Sequence, residues 1–171
     1  MRRFAVGFVT GVVVLPLLGL AAVWLGLVTV SAKAEPSAAE SAVAHLVLDR
    51  ALARAQRQAN PYPASDENLL AGMKTFRNAC AGCHGDLSSN SDYGASFYPR
   101  VPQFAVHPPR KPDWQIYSIV KNGVRFSGMS AWDGQWGPKS EERIWKVALF
   151  LSRLDSLPPA VAEQWHQKPA S

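Results

Sequence analysis

Two cysteines separated by two small residues, with a histidine directly after the second, occupy Cys80-Ala81-Gly82-Cys83-His84. Cysteines at i and i+3 bring both sulfurs to one side of a helical turn. There each can form a thioether with one porphyrin vinyl group, the pattern of a covalent c-type haem attachment site. His84 then offers its imidazole to the iron as proximal ligand. Two other uses of paired cysteines fit less well. A zinc site needs two further Cys or His ligands at suitable spacing, yet the chain has only 2 cysteines, and His107 and His166 stand alone beside prolines. A thioredoxin-like dithiol wants a βαβ pattern around the motif, and none surrounds it. With both sulfurs committed to one haem, no disulfide is expected.

The first 30 residues set where such a site would sit. From Phe4 to Val30 no residue is charged. A helix over that run would extend roughly 40 Å, more than a bilayer core of about 30 Å. Segment 1–30 is therefore read as a single transmembrane anchor, in contact with lipid through residues 4–30. Arg2 and Arg3 precede it, which predicts a cytoplasmic N-terminus and a periplasmic remainder. The rival is a signal peptide cleaved after Ala34, since Ala32-Lys33-Ala34 has the small-x-small form. Signal-peptide apolar cores usually run about 7–15 residues, which favours a retained anchor. Pro16 is tolerated in a membrane span. Removing Arg2 and Arg3 from the 18 basic residues leaves 16 against 13 acidic. So slight a surplus argues against nucleic acid as a partner.

The rest of the chain reads as helices and irregular loops, an all-α pattern without strand pairs or repeats. Residues 31–60 form a short Ala/Ser/Glu-rich linker and an amphipathic helix predicted over Ala38–Ala59. Val43, Leu46, Val47, Leu48 and Leu52 are its apolar residues, and Arg50, Arg54 and Arg57 a basic stripe, read as a solvated face. The haem domain is placed at residues 61–159. Its first helix starts after Ser65 as N-cap, with Asp66 and Glu67 at the positive end. Leu69, Leu70, Met73 and Phe76 form the buried side and lead into Cys80. Gly72 costs about 1 kcal/mol in a helix relative to Ala, which suggests a close crossing there by the last helix. A polar loop over Gly85–Ala95 and a stretch rich in prolines and aromatics, from Phe97 to Pro112, follow. A short helix is expected over Asp113–Lys121, stopped by Asn122-Gly123. In the final helix Ile144, Val147, Ala148, Leu151 and Leu154 keep a core-facing rhythm, and residues 160–171 are a tail.

The second axial position decides the chemistry. Met129 is the leading candidate for distal iron ligand: it lies in a loop, and Gly128 and Ser130 on either side let the backbone come close. A thioether ligand raises the potential. His107 is the runner-up, giving a bis-histidine haem, while Met73 lies too close to Cys80 on one helix.

Taken together, the helix with Gly72 and Phe76, Cys80-Ala81-Gly82-Cys83-His84-Gly85, Asn122-Gly123-Val124, Gly128-Met129-Ser130-Ala131-Trp132 and the final helix with Trp145 resemble the class I c-type cytochromes. The likeness extends over about Asp66 to Pro159 and is nearest to single-haem, membrane-tethered members similar to the cytochrome c subunits of haem–copper oxidases. It implies an all-α cytochrome c fold of three to five helices around one haem c. The implied function is one-electron transfer between redox partner proteins, by a carrier that is not itself an enzyme. A fixed haem subunit of a larger dehydrogenase or oxidase is the alternative, as is a haem sensor or peroxidase should the sixth position be open. Two departures stand out. Ser130 replaces the proline that commonly follows the ligand methionine. The early proline after the haem motif is also missing, which leaves Pro99 and Pro102 as possible sources of the carbonyl that orients His84.

Overall fold

Arg2 and Arg3 followed by an uncharged, mostly apolar run build the first helix, α1 (Arg2–Trp24). The computed structural model describes residues 2–87 and 90–167. Met1, polar-loop residues Ser88 and Ser89, tail residues 168–171 and the side chains of Arg2, Ala5 and Val6 lie outside what it describes. α1 stops short of the expected Val30. Leu27 donates its amide to the Ala22 carbonyl (2.9 Å) and Gly26 to that of Val23 (3.0 Å), with Gly26 at φ +69°. This paired closure satisfies carbonyls that the helix end would leave open. At about 1.5 Å per residue α1 still reaches some 34 Å, and the window Gly7–Trp24 has a mean hydropathy of 2.1. By length and composition it can cross a bilayer.

The chain divides into two compact units, residues 1–34 and 35–171. In the second, α2 (Ala38–Arg54) opens with Ser37 as N-cap, its side chain accepting from the Glu40 amide. The helix ends five residues before the expected Ala59, so Arg57 does not continue the stripe of Arg50 and Arg54. Tethers at both ends explain the early stop. Lys111 pairs with Asp49 (3.1 Å) on α2, while the Asn60 side chain donates to Asp113 (3.1 Å). The intervening segment takes an extended path, starting at Ala55 with ψ 144°.

Three helices make the core: α3 (Asp66–Ala79), α5 (Asp113–Asn122) and α6 (Ser140–Ser152). α3 is capped by Ser65, which accepts from the Asn68 amide, as its sequence predicts. It crosses α6 at Gly72, where a Cβ atom would lie 2.1 Å from the Lys146 carbonyl oxygen and 2.9 Å from Phe150 Cβ. The expected close crossing is thus real, and only a residue without a side chain permits it. Phe76, one turn on, is buried against Phe150 (6.0 Å between centroids) and Trp165 (5.9 Å). Tyr117 of α5 stacks on Trp145 of α6 at 3.8 Å. The tail is more ordered than the sequence suggests. It forms α7 (Pro159–His166), burying Val161 and Trp165, and Arg77 donates to the carbonyls of Trp165 (2.7 Å) and Gln167 (2.9 Å). The same guanidinium faces Asp86 at 3.4 Å, where Nε is close enough to pair but lacks hydrogen-bond geometry.

Candidate haem site

Helix α3 ends at Cys80, which also begins the single turn α4 (Ala81–His84). The Cys83 and His84 amides both reach back to the Cys80 carbonyl (3.1 and 2.9 Å), so the motif is a closed turn, and Gly85 leaves it at φ +73°. This fixes the two sulfurs and the imidazole on a rigid base. Burial, with Cys83 alongside, pushes the Cys80 thiol up to about 12. A reactive redox dithiol requires the opposite shift. Nor do three or more His, Cys, Asp or Glu side chains gather into a metal-holding group among the described residues.

His84 is held from behind. Its Nδ1 lies 2.9 Å from the Pro102 carbonyl oxygen. A carbonyl only accepts, so Nδ1 carries the proton and Nε2 keeps its lone pair for a metal. Of the two prolines that could have supplied this contact, Pro102 does. Burial lowers the pKa of the ring, and the Pro102 bond opposes this only in part, which favours the neutral, ligating form. Phe104 stacks on the imidazole at 4.4 Å and 9° and restrains its rotation, while its amide donates to the His84 carbonyl (3.1 Å).

The loop from Ser91 to Phe104 is stitched to the motif. Gln103 donates to the Cys83 carbonyl (3.1 Å) and accepts from the Ser91 amide (2.7 Å); the Ser91 hydroxyl donates to the Gly82 carbonyl. Gly94 passes so close that a Cβ atom there would lie 2.0 Å from the Cys83 oxygen. The sequence marks this stretch only as an irregular wall of prolines and aromatics. It does not reveal that Gln103 bridges the two ends of the loop or that Phe104 braces the histidine. Both depend on contacts between residues 12 to 20 positions apart.

Met129 sits on a second loop. Its amide donates to the Ser127 hydroxyl (3.1 Å) and its carbonyl accepts from Val124 (3.0 Å). Beyond it Trp132 donates to the Val120 carbonyl (3.1 Å), which fastens the loop to the end of α5. Gly128 meets Phe97 of the first loop, where a Cβ atom would lie 2.3 Å from the ring. Met129 is half-buried and packs against the same apolar cluster as Cys80, Ala81, Phe104 and Trp132. His107, the other candidate, is exposed. The donor set fits an iron porphyrin: two thiols one turn apart, an imidazole presenting Nε2, a thioether on a second loop packed on the same apolar cluster and an aromatic surround.

A helical domain organised in this way is a class I c-type cytochrome, a domain that carries haem c. More particularly, the family described as cytochrome c oxidase, cbb3-type, subunit III matches residues 67–151. That match supports a class I c-type cytochrome similar to oxidase subunits, and the all-α cytochrome c fold expected from the sequence stands. No curated protein and no solved structure matches the chain.

Proposed function

We propose that this chain carries single electrons at the outer face of a membrane, with one haem c bonded covalently to Cys80 and Cys83 and ligated by His84 and Met129. The family of residues 67–151 supports electron transfer by a haem protein. The observation that carries the finer reading is the 2.9 Å contact from His84 Nδ1 to the Pro102 carbonyl, which leaves Nε2 as the ligating nitrogen. When bound, the haem supplies a one-electron Fe(III)/Fe(II) couple. The residues do the rest. The α4 turn and the Pro102 and Phe104 contacts keep the imidazole in one orientation, so little reorganises between oxidation states. Met129, on its fastened loop, would offer the iron a soft sulfur donor that favours the reduced state. The partly buried Phe97, Phe104 and Trp132 flank the site. With His84 and Met129 both on the iron no position would remain for substrate, so the chain would act as a carrier.

α1 is read as the anchor, its lipid contact running from Phe4 to Trp24 rather than to the expected Val30, and Arg2 and Arg3 set a periplasmic haem domain. Tethering confines the carrier to the membrane plane and raises its effective concentration near membrane-bound donors and acceptors. The matching family is described as an oxidase subunit, which supports a second reading: a fixed subunit of a larger complex. Purification in mild detergent at constant stoichiometry with a partner would favour it.

The optical spectrum of the oxidised protein and of Met129→Ala tests the axial pair. A sulfur-to-iron charge-transfer band lost only in the variant is expected, with an added tetrapyrrole mass on the intact chain. An unchanged spectrum would move the distal ligand elsewhere and reopen the sensor and peroxidase readings.

A further inference from the structure

Helix α2 turns two different faces outward and inward. Leu48 and Leu52 point toward the haem domain, and Leu52 is buried there. Val43 (61 % exposed) and Val47 (62 %) lie on the opposite face with Leu46 (55 %) at its edge. Arg50 and Arg54 continue that face at i+7 and i+11 from Val43. The two acidic residues of the helix are engaged elsewhere. Asp49 pairs with Lys111 at 3.1 Å, and Glu40 accepts from the Tyr98 hydroxyl. Arg50 and Arg54 have no ion-pair partner among the described residues. The outward face is therefore apolar in its first half and cationic in its second, with its own carboxylates drawn away.

Such a face suits the boundary of an anionic bilayer, where apolar side chains enter the acyl region and arginines meet lipid phosphates. The chain also restricts where α2 can go. Segment 25–37 joins the end of α1 to its start, and at about 3.5 Å per residue it spans at most roughly 45 Å. We propose that the Val43–Arg54 face of α2 lies in the interface of an anionic membrane and so holds the haem domain against the bilayer surface. This rests on reading α1 as the anchor.

Hydrogen–deuterium exchange of the full haem-loaded chain tests it, in bilayer discs of phosphatidylcholine alone and of the same lipid with roughly a quarter phosphatidylglycerol. Amides of α2 should exchange at least about threefold more slowly in the anionic discs. Val43→Ser/Val47→Ser and Arg50→Gln/Arg54→Gln should each abolish the difference while α3 amides stay unchanged, since all four side chains point away from the core. Equal exchange of α2 in both discs, with the 7–24 peptides protected, overturns the proposal and leaves the anchor standing; the face would then await a protein partner. Unprotected 7–24 peptides would overturn the anchor reading itself, and this proposal with it.

Discussion

Adding one methyl group at Gly72 should loosen the helix pair that carries the haem motif. A Cβ atom there would sit 2.1 Å from the Lys146 oxygen, 2.7 Å from the Lys146 carbonyl carbon and 2.9 Å from Phe150 Cβ. Two of the three obstacles are backbone, so no rotamer change relieves them. α6 must retreat by about 1 Å, and a gap of that order forfeits a quarter to a half of each dispersion contact across it. Overpacking of this kind costs about 1–3 kcal/mol, and the blocked backbone places Gly72→Ala at or above the upper end. The better helix propensity of alanine returns about 1 kcal/mol. The net loss is about 2 kcal/mol, or roughly 10 °C in Tm for a domain of this size. Thermal melts of the haem-loaded protein followed by circular dichroism measure it. Gly82→Ala is the control, because nothing lies within 4 Å of a Cβ atom there, and it should melt within about 4 °C of the wild type, or above it. Gly72→Ala melting as high as the wild type would refute the crossing argument.

Arg77→Ala should cost about 2–4 kcal/mol, because the guanidinium caps the end of α7 through three carbonyls, faces Asp86 and lies 5.0 Å over Trp165; faster exchange of α7 than of α6 amides would report the released helix. The Tyr117 hydroxyl donates to Glu141 (3.0 Å) and accepts from Lys121 (3.0 Å). Burial, the largest cause, raises the Tyr117 pKa, and the Tyr117 bond raises that of Lys121. Both groups favour their protonated form on folding. Their contribution is complete below the unfolded values near 10 and is lost as pH rises past them. Urea denaturation between about pH 9 and 11 should show wild-type stability falling more steeply than that of Tyr117→Phe, and parallel slopes would contradict this. Phe126 holds φ +59° while 92 % exposed, so Phe126→Gly should relieve strain with little packing lost and gain up to about 1 kcal/mol; a lower denaturation midpoint would argue against it.

What the sequence discloses here is the chemistry that short spacing encodes. Cys80, Cys83 and His84 sit within one turn, so their shared orientation follows from helix geometry alone. Ser65 and the i, i+3, i+4 rhythm of α6 are equally local, and Gly72 was conspicuous because a helix interior rarely keeps glycine without a reason. The misplaced boundaries lie where distant contacts decide. The sequence pattern carries α2 to Ala59, but the pairings of Asp49 and Asn60 with residues more than fifty positions away stretch the chain after Arg54. Hydropathy carries α1 to Val30 because it does not register the turn at Gly26. The sequence does not mark α7, because eight residues with two buried side chains carry too weak a period. The bracing of His84 by Pro102, Gln103 and Phe104 was hidden for the same reason: composition narrows the carbonyl to two prolines, and only the folded loop selects one.

The division between these local and distant features is also a division of labour around the iron. The helices α3, α5 and α6 bury large side chains against one another, among them Phe76, Ile144, Trp145 and Phe150. The loops 85–112 and 123–139 bury almost nothing of their own among the described residues; Phe104, Met129, Trp132 and Trp136 are only partly covered. A small domain gains proportionately little from burial, so segments with this little core hold their shape through hydrogen bonds to the motif and through whatever apolar surface they enclose. A flat macrocycle fixed between Cys80, Cys83 and the two loops would supply that surface. On the reading proposed above, the α4 turn with Pro102 and Phe104 would present His84 to the cofactor, and the setting of Met129 would be completed by the same group.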